Sequence, residues 1–134
     1  MKFFRLLYVV IFMMIDFIYV YLSKDVYQSA INSKKKVDTR RAGISALIAY
    51  AFMATGWYFL VATKIEELVK NAKYPFFIGA WCGFLYAALV YGVYNFTQSA
   101  FVYEWHGYIF YRDLLWGFTS SMVISGVYAL LIKK

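Results

Sequence analysis

Four long apolar stretches, separated by short polar connections, follow one another along this chain. They cover about residues 3–22, 43–63, 75–103 and 108–132. A helix needs about 20 largely apolar residues to cross the hydrocarbon core of a bilayer, and each stretch reaches that length. Lipid offers no partners to an open strand edge, so helices are the expected elements. The pattern predicts an all-α, polytopic (multi-pass) membrane protein with four transmembrane helices in one bundle, a single domain over residues 1–134.

The third stretch is longer than a bilayer requires. The apolar run from Tyr74 to Tyr103 would extend about 45 Å as a helix, against a hydrocarbon core of about 30 Å. We therefore expect this segment to tilt, protrude or break. Trp105, Tyr108 and Tyr111 follow it and are typical of an aromatic belt at the membrane surface.

Four crossings place both chain ends on one membrane face, here called side A, together with the connection between the second and third stretches. The other two connections lie on the opposite face, side B. Each side carries seven basic residues: Lys2, Arg5, Lys64, Lys70, Lys73, Lys133 and Lys134 on side A, and Lys24, Lys34, Lys35, Lys36, Arg40, Arg41 and Arg112 on side B. Counting basic residues therefore assigns no orientation. We favour orientation by charge density near single helix ends over insertion in both directions.

Composition agrees with a membrane protein and narrows its partners. The chain is 63% hydrophobic, which is too apolar for a soluble domain of this size, and its net charge is +7. The basic residues lie in the connections, so the lipid bilayer and its anionic headgroups are the expected partners rather than nucleic acid. With one cysteine, Cys82, and one histidine, His106, we expect no metal site and no cofactor.

Two ladders of small residues predict where helices approach closely. Gly79 and Gly83 are four residues apart in the third stretch, and Gly117, Ser121 and Ser125 recur at the same spacing in the fourth. Helices in lipid associate mainly through close packing at such residues. Packing within the bundle is the favoured use, and a homo-oligomer interface is the alternative.

Three polar residues within the spans are expected at a similar depth near side B. Asp16, Asn95 and Asp113 belong to the first, third and fourth stretches, whose directions alternate. Ionisable residues inside spans are costly and are functional candidates by default. The predicted binding or relay set adds three neighbours on the same helix faces: Gln98, Tyr91 and Tyr19. The alternative is that Asp16 only fixes helix register and that Asp113 caps its helix or pairs with Arg112.

Several motifs resemble the domain-of-unknown-function 2177 family of small four-span membrane proteins over nearly the whole chain. They are Asp16, the segment YGVYNFTQ at 91–98, Trp105, and Asp113 followed by Trp116 and Gly117. The family pattern at 91–98 is YGTYDLTN, so Asn95 replaces an aspartate and Gln98 an asparagine. The resemblance implies the fold and the number of spans, and it implies no established activity.

Three functions remain open. The favoured hypothesis is an oligomeric pathway for ions, protons or a small solute, with Asp16 as the intramembrane acid. The second is an enzyme or enzyme subunit that modifies membrane lipids, although no catalytic residue is predicted and an enzyme is the less favoured class. The third is a non-catalytic membrane scaffold. Transport through a four-span protein requires a homo-oligomer, because four helices do not easily enclose a pore.

Overall fold

A computed structural model describes residues 2–31, 39–101, 105 and 107–133, and these residues form helices without any strand. Seven α-helices follow in order, with a π-helical segment, Trp57–Val61, between α3 and α4 and another, Ala88–Gly92, between α5 and α6. The helices are α1 (Lys2–Leu22), α2 (Lys24–Ile31), α3 (Thr39–Gly56), α4 (Ala62–Val69), α5 (Pro75–Ala87), α6 (Val93–Phe101) and α7 (Tyr108–Ile132).

The two π-helical segments join α3 to α4 and α5 to α6 without a break. The described part of the chain thus contains four continuous helices that are long and apolar enough to cross a membrane. They cover Lys2–Leu22, Gly43–Val69, Pro75–Ala100 and Tyr108–Ile132, called spans one to four below. The prediction of an all-α, multi-pass membrane protein is confirmed. Span two continues past the predicted end at residue 63, because Ile65 and Val69 prolong its buried face while charged residues cover the other. The predicted end of span three at residue 103 lies outside the described residues.

A short helix on side B, α2, was not expected from the sequence. It begins directly after span one, where the backbone N–H groups of Val26 and Tyr27 donate to the carbonyl of Ser23. Val26 and Tyr27 pack against a small apolar cluster formed by Trp105 and Ile109. The helix therefore lies over the side-B end of the bundle and carries Tyr27 toward span four.

Span three does not break, although it is long. It runs as one helix whose middle turn, Ala88–Gly92, has π geometry. Span two contains a similar turn at Trp57–Val61. Such π turns are rare in proteins, and those that occur often lie at functional sites. Here they carry the buried side chains of Tyr91 and Trp57.

The middle of the bundle is closed by direct contact between spans three and four. A Cβ atom added at Gly83 would overlap the carbonyl of Ser121, and one added at Gly79 would overlap the carbonyl of Ser125. The two ladders thus face each other within one chain. The ring of Tyr91 occupies the space beside Gly117 in the same way, and the indole N–H of Trp57 donates to Ser125 Oγ at 3.1 Å.

Gly83→Ala should therefore destabilise the bundle by about 1–3 kcal/mol, the usual cost of overpacking a close contact. Gly92→Ala is the matched control, because nothing lies within 4 Å of a Cβ built there. Unfolding of both variants in detergent, followed by circular dichroism, measures the difference. Equal stability of the two variants would contradict the close packing of spans three and four.

Candidate functional site

The structure brings Asp16, Asn95 and Asp113 into one hydrogen-bonded group near side B. Asp16 precedes the end of α1 at Leu22 by six residues, Asn95 precedes the end of α6 at Phe101 by six, and Asp113 follows the start of α7 at Tyr108 by five. At 1.5 Å per residue each lies about 8–9 Å inside its helix end. The carboxylate network is defined here as these three residues with Tyr27, Tyr50, Tyr91, Trp105 and Trp116.

Asp16 accepts hydrogen bonds from all three other spans. The hydroxyl of Tyr50 in span two donates at 3.0 Å, that of Tyr91 in span three at 2.5 Å, and the indole N–H of Trp116 in span four at 3.0 Å. The residue is only 4% exposed. These donors are all neutral groups, so they solvate an ionised carboxylate without balancing its charge.

Asp113 is the second carboxylate of the network and is 5% exposed. It accepts from the hydroxyl of Tyr27 on α2 and from Nδ2 of Asn95 at 2.5 Å. Burial and the bond to the Asp113 carboxylate raise the pKa of the Tyr27 phenol above its ordinary value. Tyr27 therefore stays protonated at neutral pH and remains a donor to Asp113.

Asn95 contacts one of the two carboxylates, that of Asp113, and is fully buried. Its Nδ2 also donates to the backbone carbonyl of Tyr91 at 2.9 Å, and its Oδ1 accepts from the indole N–H of Trp105 at 3.1 Å. The amide thus donates on one side and accepts on the other. An ionised aspartate at this position could not donate to Asp113, because a carboxylate only accepts.

Tyr19 and Gln98, the two remaining residues of the predicted set, lie outside the carboxylate network. Tyr19 stacks on Trp116, with ring centroids 4.4 Å apart and planes 7° apart, and the guanidinium of Arg112 lies 5.6 Å from the centre of the Tyr19 ring. Tyr19 therefore stacks on a member of the network, and no described hydrogen bond joins it to Asp16 or Asp113. Gln98 is half-buried, and none of the hydrogen bonds described for the network involves it.

Four network residues were not in the predicted binding or relay set: Tyr27, Tyr50, Trp105 and Trp116. Trp105 was expected in an interfacial belt, yet it is 1% exposed and turns inward onto Asn95. Tyr108 and Tyr111, the other two residues of the expected belt, are 70% and 69% exposed. Trp105 and Trp116 belong to the motifs of the family resemblance. A further signal was the number of aromatic residues with polar atoms near side B, since such groups usually find a partner when buried.

A third carboxylate, Glu66 on side A, is paired in a different way. The Nε and Nη2 atoms of Arg5 donate to its two oxygens at 2.5 Å each, and the hydroxyl of Tyr128 donates at 2.5 Å. Glu66 is 9% exposed and Arg5 18% exposed. Because a guanidinium balances this carboxylate, the arrangement is that of a stabilising ion pair.

The carboxylate network combines groups whose chemistry allows them to bind a proton or a cation. Two buried carboxylates, an amide and phenolic hydroxyls offer oxygen atoms and exchangeable protons. Across the described parts of the chain, no three acidic, histidine or cysteine side chains come close enough to hold a metal ion together.

Tyr27→Phe removes one of the two described donors to Asp113 and should cost about 1–3 kcal/mol, the usual penalty for leaving a buried polar group short of a partner. Tyr111→Phe is the control, because Tyr111 is 69% exposed and lies outside the network. Thermal unfolding in detergent compares the two. A Tyr27→Phe protein as stable as the control would show that α2 is not held by this bond.

Comparison with known proteins agrees with the resemblance noted in the sequence. The model of the family described as "Predicted membrane protein (DUF2177)" matches residues 2–130. No curated protein and no solved structure matches the chain.

Proposed function

This chain belongs to that family of membrane proteins, and from its carboxylate network we propose that it forms a pathway for protons or small cations, with Asp16 as the binding group. One observation carries the proposal: Asp16 is 4% exposed inside a span, and its three described donors are neutral. A buried ionised carboxylate costs several kcal/mol unless a positive charge balances it. A proton or cation that reaches Asp16 would supply that balance.

The hydrogen bonds also suggest how binding at one carboxylate would affect the other. Tyr91 donates its hydroxyl to Asp16, and its backbone carbonyl accepts from Asn95, which donates in turn to Asp113. Asp113 holds α2 through Tyr27. A cation that binds more tightly in one arrangement of this chain of bonds would shift the population toward that arrangement, as transport requires.

Spans three and four are in backbone contact at Gly79 and Gly83, so among the described residues there is no route between these two helices. We therefore propose that the pathway forms in a homo-oligomer. Span two suits an interface with a second copy, because only 11% of the apolar segment of this helix is buried within the chain. The corresponding fraction is 44% for span three. The oligomeric state and the pathway are thus parts of one proposal.

A second candidate, modification of membrane lipids, has one observation in its favour. A groove of about 490 Å³ runs between spans one and two and is lined by apolar side chains and by Tyr50. The hydroxyl of Tyr50 is the group that donates to Asp16. A lipid chain in this groove would lie beside the carboxylate network, where Asp16 could act as an acid or a base on the lipid.

Flux through proteoliposomes tests the first candidate directly. Purified protein is reconstituted with an internal indicator of the ion tested, and gradients of protons, sodium ions and potassium ions are imposed in turn. Flux above that of empty liposomes is expected for at least one gradient, together with an oligomer in nanodiscs. A strictly monomeric protein that gives no flux under any gradient would reject the pathway in favour of the lipid candidate.

A further inference from the structure

Side A carries positive charge that the protein itself does not neutralise. Its two acidic residues are already paired, Glu66 with Arg5 and Glu67 with Lys64 at 2.9 Å. Lys70 and Lys133 are exposed, and no ion pair of either lysine is found among the described residues. Both ammonium groups are therefore available to an external anion.

These two lysines line the same cavity. It has a volume of about 250 Å³ and is bordered by Glu66, Val69, Lys70, Ile132 and Lys133. A water molecule occupies about 30 Å³ in the liquid, so the space would hold a phosphate group with part of its ester substituents. Lys133 reaches across to the loop after span two, where its ammonium donates to the carbonyl of Ala72, and it keeps further N–H donors for a ligand.

The position of the cavity identifies the kind of anion. Val69 and Ile132 are the last residues of spans two and four, so the cavity lies where the hydrocarbon core meets the lipid headgroups. Its wall combines the two lysines with the apolar side chains of Val69 and Ile132. Glu66 also borders it, but Arg5 and Tyr128 already bind that carboxylate. A soluble anion gains nothing from the apolar wall, whereas the acyl chain of a phospholipid can pack against it.

We propose that this side-A cavity binds the phosphate of an anionic phospholipid between Lys70 and Lys133, with the upper part of an acyl chain along Val69 and Ile132. The site is independent of the carboxylate network and of the proposed pathway. Lys70 and Lys133 also cap the C-terminal ends of α4 and α7, where positive charge is favourable. Helix capping alone would affect stability and would create no preference among lipids.

Binding of a fluorescent phosphatidylglycerol to the detergent-solubilised full-length protein tests the site, with phosphatidylcholine as the neutral reference. Wild-type protein should prefer phosphatidylglycerol. Lys70→Gln/Lys133→Gln should weaken that binding roughly 25-fold, since each basic residue near an anionic surface contributes about fivefold. The control Lys2→Gln/Lys73→Gln removes two charges from the same side, outside the cavity, and should leave binding close to the wild-type level.

Each of the following results would overturn the proposal. Retained preference in Lys70→Gln/Lys133→Gln would exclude the cavity, and an equal loss in the control would show general attraction to side A. Displacement of the lipid by inorganic phosphate at low concentration would assign the cavity to a soluble phosphate instead. If Lys70→Gln/Lys133→Gln unfolds, the single variant Lys70→Gln is compared with Lys73→Gln, with about fivefold and no loss expected respectively.

Discussion

Asp16→Asn is expected to reduce proton- or cation-driven flux to the level of empty liposomes while leaving expression and oligomeric state unchanged. Asparagine has the shape of aspartate, and its carbonyl oxygen can still accept from Tyr91 or Trp116. It can neither ionise nor take up a proton. The substitution therefore removes the proposed chemistry and keeps most of the packing. Flux in proteoliposomes under a pH gradient is the measurement.

Asp25→Asn is the matched control for this experiment. Asp25 lies in the first turn of α2 on side B and is exposed, outside the carboxylate network. The same chemical change there should leave flux at the wild-type level. If Asp16→Asn and Asp25→Asn carry equal flux, Asp16 fixes helix register only, and the pathway proposal fails in favour of a lipid-modifying or scaffold protein.

Arg5→Met should destabilise the protein by about 3–5 kcal/mol, the cost of leaving a buried charge without its partner. Glu66 is 9% exposed and would keep only the neutral hydroxyl of Tyr128 among its described donors. Lys64→Met is the control, because the Lys64–Glu67 pair is 55% and 65% exposed and such pairs contribute about 0–1 kcal/mol. Unfolding free energies in detergent give both values.

A double variant shows whether the charge or the packing of Arg5 is responsible. Arg5→Met/Glu66→Gln removes both charges and should recover a large part of the stability lost in Arg5→Met, because no carboxylate is left unbalanced. Failure of the second substitution to recover stability would mean that Arg5 acts through its contacts with Thr63 and the Tyr58 ring. Equal losses in Arg5→Met and Lys64→Met would contradict a buried ion pair.

The spans could be predicted because a bilayer imposes a length that sequence alone reports. Continuous runs of about 20 apolar residues have few alternatives in lipid. The alternation of helix direction then gave Asp16, Asn95 and Asp113 a common depth without any knowledge of packing. Depth is set by distance from the helix ends, which can be counted along the chain.

The partners of these residues could not be predicted, because they depend on how each helix is rotated about its axis. Tyr50 and Trp116 contact Asp16 from spans two and four, and a small change of rotation would direct either toward lipid. The π turns at Trp57–Val61 and Ala88–Gly92 change this rotation along spans two and three. No residue pattern in the two segments marks them.

The pair of Arg5 and Glu66 was missed for a different reason. Charges at both ends of a span are typical of connections, and the predicted span two ended at residue 63, before Glu66. The structure continues this helix to Val69 and brings Glu66 to Arg5 in span one. Helix ends are hard to place from sequence when charged residues share the final turn with apolar ones.

Infrared difference spectroscopy of the reconstituted protein, recorded with and without the ion that gives flux, tests the central claim, that Asp16 binds the transported proton or cation, most directly. The carboxyl stretching bands should change on ion binding in the wild type and in Asp113→Asn, and this change should be lost in Asp16→Asn. The same change in wild type and Asp16→Asn, or no change in the wild type, would contradict the claim.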